Sequence, residues 1–303
     1  MNKHILIDRL VASVGRLLPD EKKFFSGDLH SPTFTELLEQ LKVLSFPFPE
    51  EGAIREIETE MGEEKITAAI KLAQWEGKEA PTFIYHHGNN ERPFDMRKGA
   101  KNTYPHIFLH KGKTKLNANL VVVRAPFHEY SLKEYQKKMR DLKGFMIMIA
   151  ASVNVNEAII SKLRESTHGP VFTCGISLGG WVTNLHRAFY NNSDAYIPLL
   201  AGSFLGSLFT QSYYRHLTSG KAKENQSLLE AKLNFQDLFE KTTTPNLYPL
   251  LAQYDQFITL PTQSKSYAGY PLKTIEAGHI TGALSGNKLG AHIQQVLNSK
   301  GRK

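Results

Sequence analysis

A single cysteine, Cys174, stands in 303 residues. No disulfide can form within the chain, so the fold must rest on its core, and a reducing, cytoplasmic location is the expectation. Long apolar runs are missing too. No uninterrupted stretch reaches the roughly 20 residues that a membrane-crossing helix needs, so no span is expected. The opening MNKHILIDRLVASVGRLLPDEKKFF is broken by Asp8, Arg9 and Arg16 before a signal-peptide core could form. Neither an internal repeat nor a low-complexity tract is present, which excludes solenoids and flexible linkers. Acidic residues are in deficit: 29 of them against 37 Lys and Arg give a net charge of +8. The cations are scattered, however, with no long basic run and no interleaved aromatics, so no nucleic-acid partner is expected.

What is present is the composition of a soluble globular protein, 41% hydrophobic and 22% charged. The first 50 residues read as a helical extension packed on the core, with apolar positions at helical spacing in ILIDRLVASVGRLL and SPTFTELLEQLKVL. Residues 51–303 read as one α/β domain. AIREIETEM and KITAAIKLAQWEG alternate as an edge hairpin, whereas APTFIYHHG, NLVVVRAPFH, GPVFTC and AYIPLLAG are nearly continuous apolar runs, as strands buried on both faces must be. NLYPLLAQYD and YPLKTIEAGHI continue the series, and helical stretches separate the strands. The alternation predicts a mostly parallel central sheet covered by helices on both faces. It lapses over about 203–244, where FLGSLFTQSYYRHL and LLEAKLNFQDLFEK predict a helical cap insertion.

One stretch carries chemistry. In VFTCGISLGGWV, Ser177 lies between Gly175 and Gly179. With Gly at roughly 7% and Ser at about 6% of positions, G-x-S-x-G arises by chance about once in ten chains of this length. Its flanks are what give it weight, because a buried strand runs into it and an amphipathic helix runs out. A serine on so sharp a turn is strained, and side chains at either glycine would collide as the helix folds back on the strand. The first turn of that helix also aims the Leu178 amide at the reacting centre, where it can help bind an oxyanion.

A serine hydroxyl needs a base, and the base needs a third group to hold its tautomer. Among twelve histidines, His279 directly follows a late strand, at the end where open α/β sheets gather their sites. Asp255 ends the preceding strand in the same way. Asp194 precedes its strand and Glu276 lies within one, so both are weaker candidates. The chain order is Ser177, Asp255, His279.

The elbow GISLGG, the strand end YDQF, the loop AGH and the HHG after an early central strand together resemble the α/β-hydrolase superfamily. The resemblance runs from about Ile54 onward and leaves the first helices outside it. It implies that Ser177 attacks an acyl carbonyl, with His279 as general base and then acid and Asp255 orienting the imidazole. His87-Gly88 resembles the family's His-Gly, which implies the Asn89 backbone amide as partner to that of Leu178 in the oxyanion hole.

The expected function is cleavage of a carboxylic ester or thioester of a small acyl substrate through an acyl-enzyme, without a cofactor. A peptidase or amidase, or an inactive hydrolase-fold binding protein, is the alternative. Three smaller readings accompany it. His86 should point away from His87 along an extended chain. His106 and His110 have a zinc-like spacing only if both are helical, and no metal is expected there. The stripe Leu205, Leu208, Phe209, Tyr213 reads as buried under the cap, with the lining of an apolar pocket as the sharper alternative. Cys174, at a strand end, reads as a buried structural thiol.

Overall fold

The computed structural model describes residues 2–110, 113–114 and 116–300. Helix α1 (Lys3–Ser13) begins at Asn2, whose side chain accepts the His4 amide at 2.9 Å. Helix α2 (Phe34–Gln40) is set by a capping box, Thr33 and Glu36 bonding across its first turn. Strands β1 (Lys42–Val43), β2 (Ile54–Met61) and β3 (Glu64–Gln74) then pair antiparallel. The β2–β3 hairpin turns at Gly62, whose φ of +59° suits a residue without a Cβ.

Strand β4 (Thr82–His86) is buried throughout. It is followed by α3 (Tyr104–Phe108) and a small ribbon of β5 (Leu109–His110) and β6 (Lys113–Thr114). Next come β7 (Asn119–Arg124), α4 (Leu132–Met139), α5 (Leu142–Ser166), β8 (Val171–Ile176), α6 (Leu178–Phe189) and β9 (Ala195–Leu199). Four short helices lie between β9 and the next strand: α7 (Gly206–Thr210), α8 (Gly220–Glu224), α9 (Gln226–Leu233) and α10 (Gln236–Phe239). The chain continues through β10 (Leu250–Ala252), α11 (Leu260–Gln263), β11 (Lys273–Ile275), α12 (His279–Ala283) and α13 (Gly286–Lys300).

The main sheet has nine strands in the order β1-β2-β3-β7-β4-β8-β9-β10-β11, parallel from β7 to β11. Helices α2, α5 and α6 pack in one apolar cluster and α3 and α13 in another, on the opposite face. β7 and β8 flank β4 on its two sides, so the connections leaving β4 and β8 diverge. That divergence opens a crevice at their carboxyl ends.

Helix α5, with 25 residues, is long and apolar enough to cross a membrane by length and composition. Here it is a core helix, wedged between the sheet, α2 and α6. Its polar residues are built into the fold: Ser152 donates to the Met148 carbonyl, and Asn154 donates to the carbonyls of Leu38 and Leu41. Those interruptions are why the sequence shows no continuous apolar run. The first 50 residues also pack into the core. Strand β1 extends the sheet, Phe25 lies fully buried against Phe145 and Phe209, and backbone bonds join Phe24 to Leu217 and Ser219, between α7 and α8.

Candidate active site

Strand β8 delivers Ser177 to the crevice. The serine sits at φ +53°, ψ −110°, a conformation that costs about 1–3 kcal/mol and persists only where the surroundings enforce it. Both flanking glycines are sterically obligatory. A Cβ on Gly175 would lie 2.2 Å from the Gly179 carbonyl oxygen, and one on Gly179 would lie 2.0 Å from that of His86. Gly179→Ala therefore sets two effects against each other. Alanine in a helix is worth about 1 kcal/mol over glycine, but overpacking against backbone costs about 3 kcal/mol. A net loss of about 2 kcal/mol is expected, read as a lower urea midpoint.

Asp255 and His279 enter from the loops after β10 and β11. The Asp255 Oδ1 accepts the amides of Phe257 and Ile258, each at 2.8 Å, and this fixes the carboxylate plane. Its Oδ2 lies 2.8 Å from His279 Nδ1. A carboxylate can only accept, so Nδ1 carries the hydrogen and Nε2 is left as acceptor for the Ser177 hydroxyl, 3.1 Å away. Burial opposes a charged His279. The Asp255 carboxylate, with help from Asp8 and Glu91, outweighs it and holds the imidazole above its ordinary range. The two rival acids lie elsewhere: Asp194 binds Arg164 and the Val171 amide at the opposite end of β8, and Glu276 is exposed.

The loop after β4 is shaped by histidines. His87 Nε2 accepts the Ala125 amide at 3.0 Å, so its Nδ1–H donates to the Gly88 carbonyl at 2.6 Å. His128 Nε2 accepts the Asn90 amide at 3.2 Å, and its Nδ1–H donates to Pro126. Burial keeps both neutral: His128 is pushed down to about 3 and His87 well below its ordinary range. Thus Gly88 and Asn90 are pinned on either side of Asn89, whose own side chain accepts from the Tyr135 hydroxyl. Among the described residues, neither the Asn89 amide nor the Leu178 amide bonds to another protein group. His86 corrects an expectation. The chain leaves extended geometry at the end of β4, and the two rings stack at 5.1 Å and 17° rather than diverging.

Ser177, His279, Leu178, Asn89 and Gly88 line one cavity of about 690 Å³. Asp255, His87, Gly175 and Gly179 stand behind it. Leu205, Leu208 and Phe209 of the predicted stripe are among its walls, with Trp181 and Phe145, whereas Tyr213 is replaced there by Tyr214. Helix α3 ends at Phe108, so His106 and His110 do not share a helix face, and no group of three or more potential metal ligands occurs among the described residues. Cys174 is fully buried, which pushes its thiol up out of the reactive range.

Sequence reasoning missed two buried carboxylates. Glu91 accepts the amide and hydroxyl of Thr103 at 2.8 and 2.7 Å, and its Oε1 stands 2.7 Å from where a Gly88 Cβ would be. The HGNNE spacing is the only signal it offers. Asp8, from α1, reaches the backbone of the His279 loop, 271 residues away in sequence.

The family described as alpha/beta hydrolase domain containing 18 matches residues 106–246. No curated protein matches the chain significantly. Among solved structures, the Pyrococcus horikoshii acylaminoacyl peptidase is similar at 14% identity and TM-score 0.52, over 83% of this chain and 42% of that one. The chain thus spans less than half of that peptidase's length. Acetyl xylan esterase 1 from Thermoanaerobacterium sp. matches at 11% identity and TM-score 0.52, over 89% of this chain and 99% of that one. A cold-adapted esterase from an Arctic intertidal metagenomic library matches at 13% identity and TM-score 0.53, over 83% and 96%. The chain has the α/β-hydrolase fold.

Proposed function

We propose that this chain of α/β-hydrolase fold is a serine hydrolase that cleaves a carboxylic ester or thioester through an acyl-enzyme. One observation carries the reading: the unbroken hydrogen-bond path from Ser177 through His279 to Asp255, ending in an apolar cavity. Ser177 attacks the carbonyl carbon as His279 Nε2 takes its proton. The resulting imidazolium is stabilised by Asp255, and the oxyanion by the Leu178 and Asn89 amides. The imidazolium then protonates the leaving alkoxide or thiolate. Water, deprotonated by the same nitrogen, attacks the acyl-enzyme and releases the acid.

The cavity supports an ester with an apolar acyl part. Its volume falls within the roughly 300–1,000 Å³ of small-molecule sites, and Trp181, Phe145, Leu205 and Phe209 offer an acyl chain contact without a polar demand. Peptidase or amidase chemistry would use the same groups. The likeness to the acylaminoacyl peptidase is one of fold.

A fluorophosphonate should add once to the folded protein, seen by intact mass. A series of p-nitrophenyl esters from acetate to laurate should then show kcat/KM rising with acyl length until the cavity is filled. Folded protein that takes no adduct and hydrolyses none of the esters would leave the inactive-scaffold alternative standing.

A further inference from the structure

Helix α1 carries a fully buried carboxylate, Asp8, whose partners all belong to the two loops that hold the reacting groups. Its Oδ2 accepts the His279 amide at 2.7 Å and the Gln256 amide at 3.1 Å, and its Oδ1 accepts the Ile280 amide at 3.0 Å. Gln256 is the neighbour of Asp255. One side chain therefore ties the Asp255 loop to the His279 loop through three backbone donors, none in its own helix. Gly278 fits this arrangement: a Cβ there would meet Asp8 Oδ2 at 2.7 Å. Glycine also leaves the first amides of α12 without a side-chain cap of their own, and Asp8 supplies the acceptor from elsewhere in the chain.

The rest of α1 reinforces the tie. His4 Nδ1 pairs with the Thr281 hydroxyl at 2.7 Å, and its ring stacks on Tyr254. Arg9 donates to the Gln256 side chain at 3.0 Å. Helix α1 thus clamps the residues on both sides of Asp255 and the segment after His279, and Val11 adds a wall to the cavity.

We propose that Asp8 is a positioning residue of this site: it fixes the His279 imidazole against Asp255 and Ser177 by holding both loops through their backbone amides, and adds to the negative charge around that imidazole. The proposal rests on the hydrolase reading above. The charged groups facing His279 are Asp255 from the loop after β10, Asp8 from α1 and Glu91 from the loop after β4. Buried charge at Asp8 is costly unless it is fully bonded. Burial indeed raises its own protonation range, against the three amides that lower it.

Asp8→Asn and Asp8→Glu separate geometry from charge. Asparagine cannot offer acceptors at both positions, so its amide group faces at least one N–H and loosens the tie. A displacement of about 1 Å at a reacting group can cost about 100-fold, and a fall of that order is expected in kcat, with KM for a p-nitrophenyl ester little changed. With one negative charge fewer, the His279 imidazole should titrate lower, and the acid limb of kcat/KM should move to lower pH. Glutamate keeps the charge but misplaces it, so kcat should fall while the titration stays near that of the wild type. Should Asp8→Asn fail to fold, Gly278→Ala reaches the same contact by pushing the carboxylate away, and a lower kcat is again expected.

NMR titration of His279 needs no turnover, so it decides the matter even if the fluorophosphonate finds no reactive serine and the hydrolase reading falls. A folded Asp8→Asn variant with wild-type kcat would overturn the proposal. So would a folded Asp8→Asn variant with reduced kcat and an unmoved His279 titration, since Asp8 would then add no charge at the imidazole.

Discussion

Ser177→Ala should reduce ester turnover by about a million-fold, the order found when the nucleophile of such a relay is removed, and should abolish fluorophosphonate labelling. The fold should survive. Alanine accepts the same backbone as serine, and the loss is one hydroxyl bond to His279, worth about 1 kcal/mol. Parallel measurements of kcat and of the thermal midpoint would show the two effects apart. Appreciable turnover in the folded variant would mean that another group is the nucleophile. The change leaves Leu178 and Asn89 untouched, so a residual rate above that in water is still expected from their amides.

Asp255→Asn should cost about ten-thousand-fold in kcat, and the local bonding says why. Both the Phe257 and Ile258 amides point at Oδ1, so the asparagine carbonyl must stay there and its NH2 must face His279. An NH2 donates, so it selects the imidazole with a bare Nδ1. The hydrogen then sits on Nε2, which can no longer accept from Ser177. The loss is one of tautomer rather than of shape, so the variant should fold and bind ester normally. Activity near that of the wild type would show that Asp255 does not orient the base.

Why Ser177, Asp255 and His279 can be found in sequence follows from the architecture. Each stands just past a strand, and parallel strands deliver all such positions to one edge of the sheet. Gly175 and Gly179 are legible for a related reason, since between a buried strand and a helix that folds back on it a close backbone approach calls for glycine at both positions. Asp8 is not legible. Its partners are backbone amides, which have no residue type to recognise, and they lie 248 to 272 positions away. Glu91 is hidden likewise, because a carboxylate five residues past a strand looks like a solvated turn until Thr103 folds over it. The stacking of His86 on His87 eluded a two-residue periodicity that ends where the strand ends. Helix α5 is legible as a helical connection between strands, although polar residues spent on core hydrogen bonds interrupt its apolar run.

The tie between α1 and the two loops also bears on how the site comes into being. Contacts so distant along a chain cannot form early, because closing so long a loop costs entropy that only an almost finished core can offset. Until α1 docks, the Asp255 and His279 loops lack the acceptor that joins them, however complete the sheet beneath. The candidate site is therefore expected to be among the last parts of the molecule to be assembled, and a chain collapsed without closing this contact would hold Ser177, Asp255 and His279 without the tie that sets them against one another.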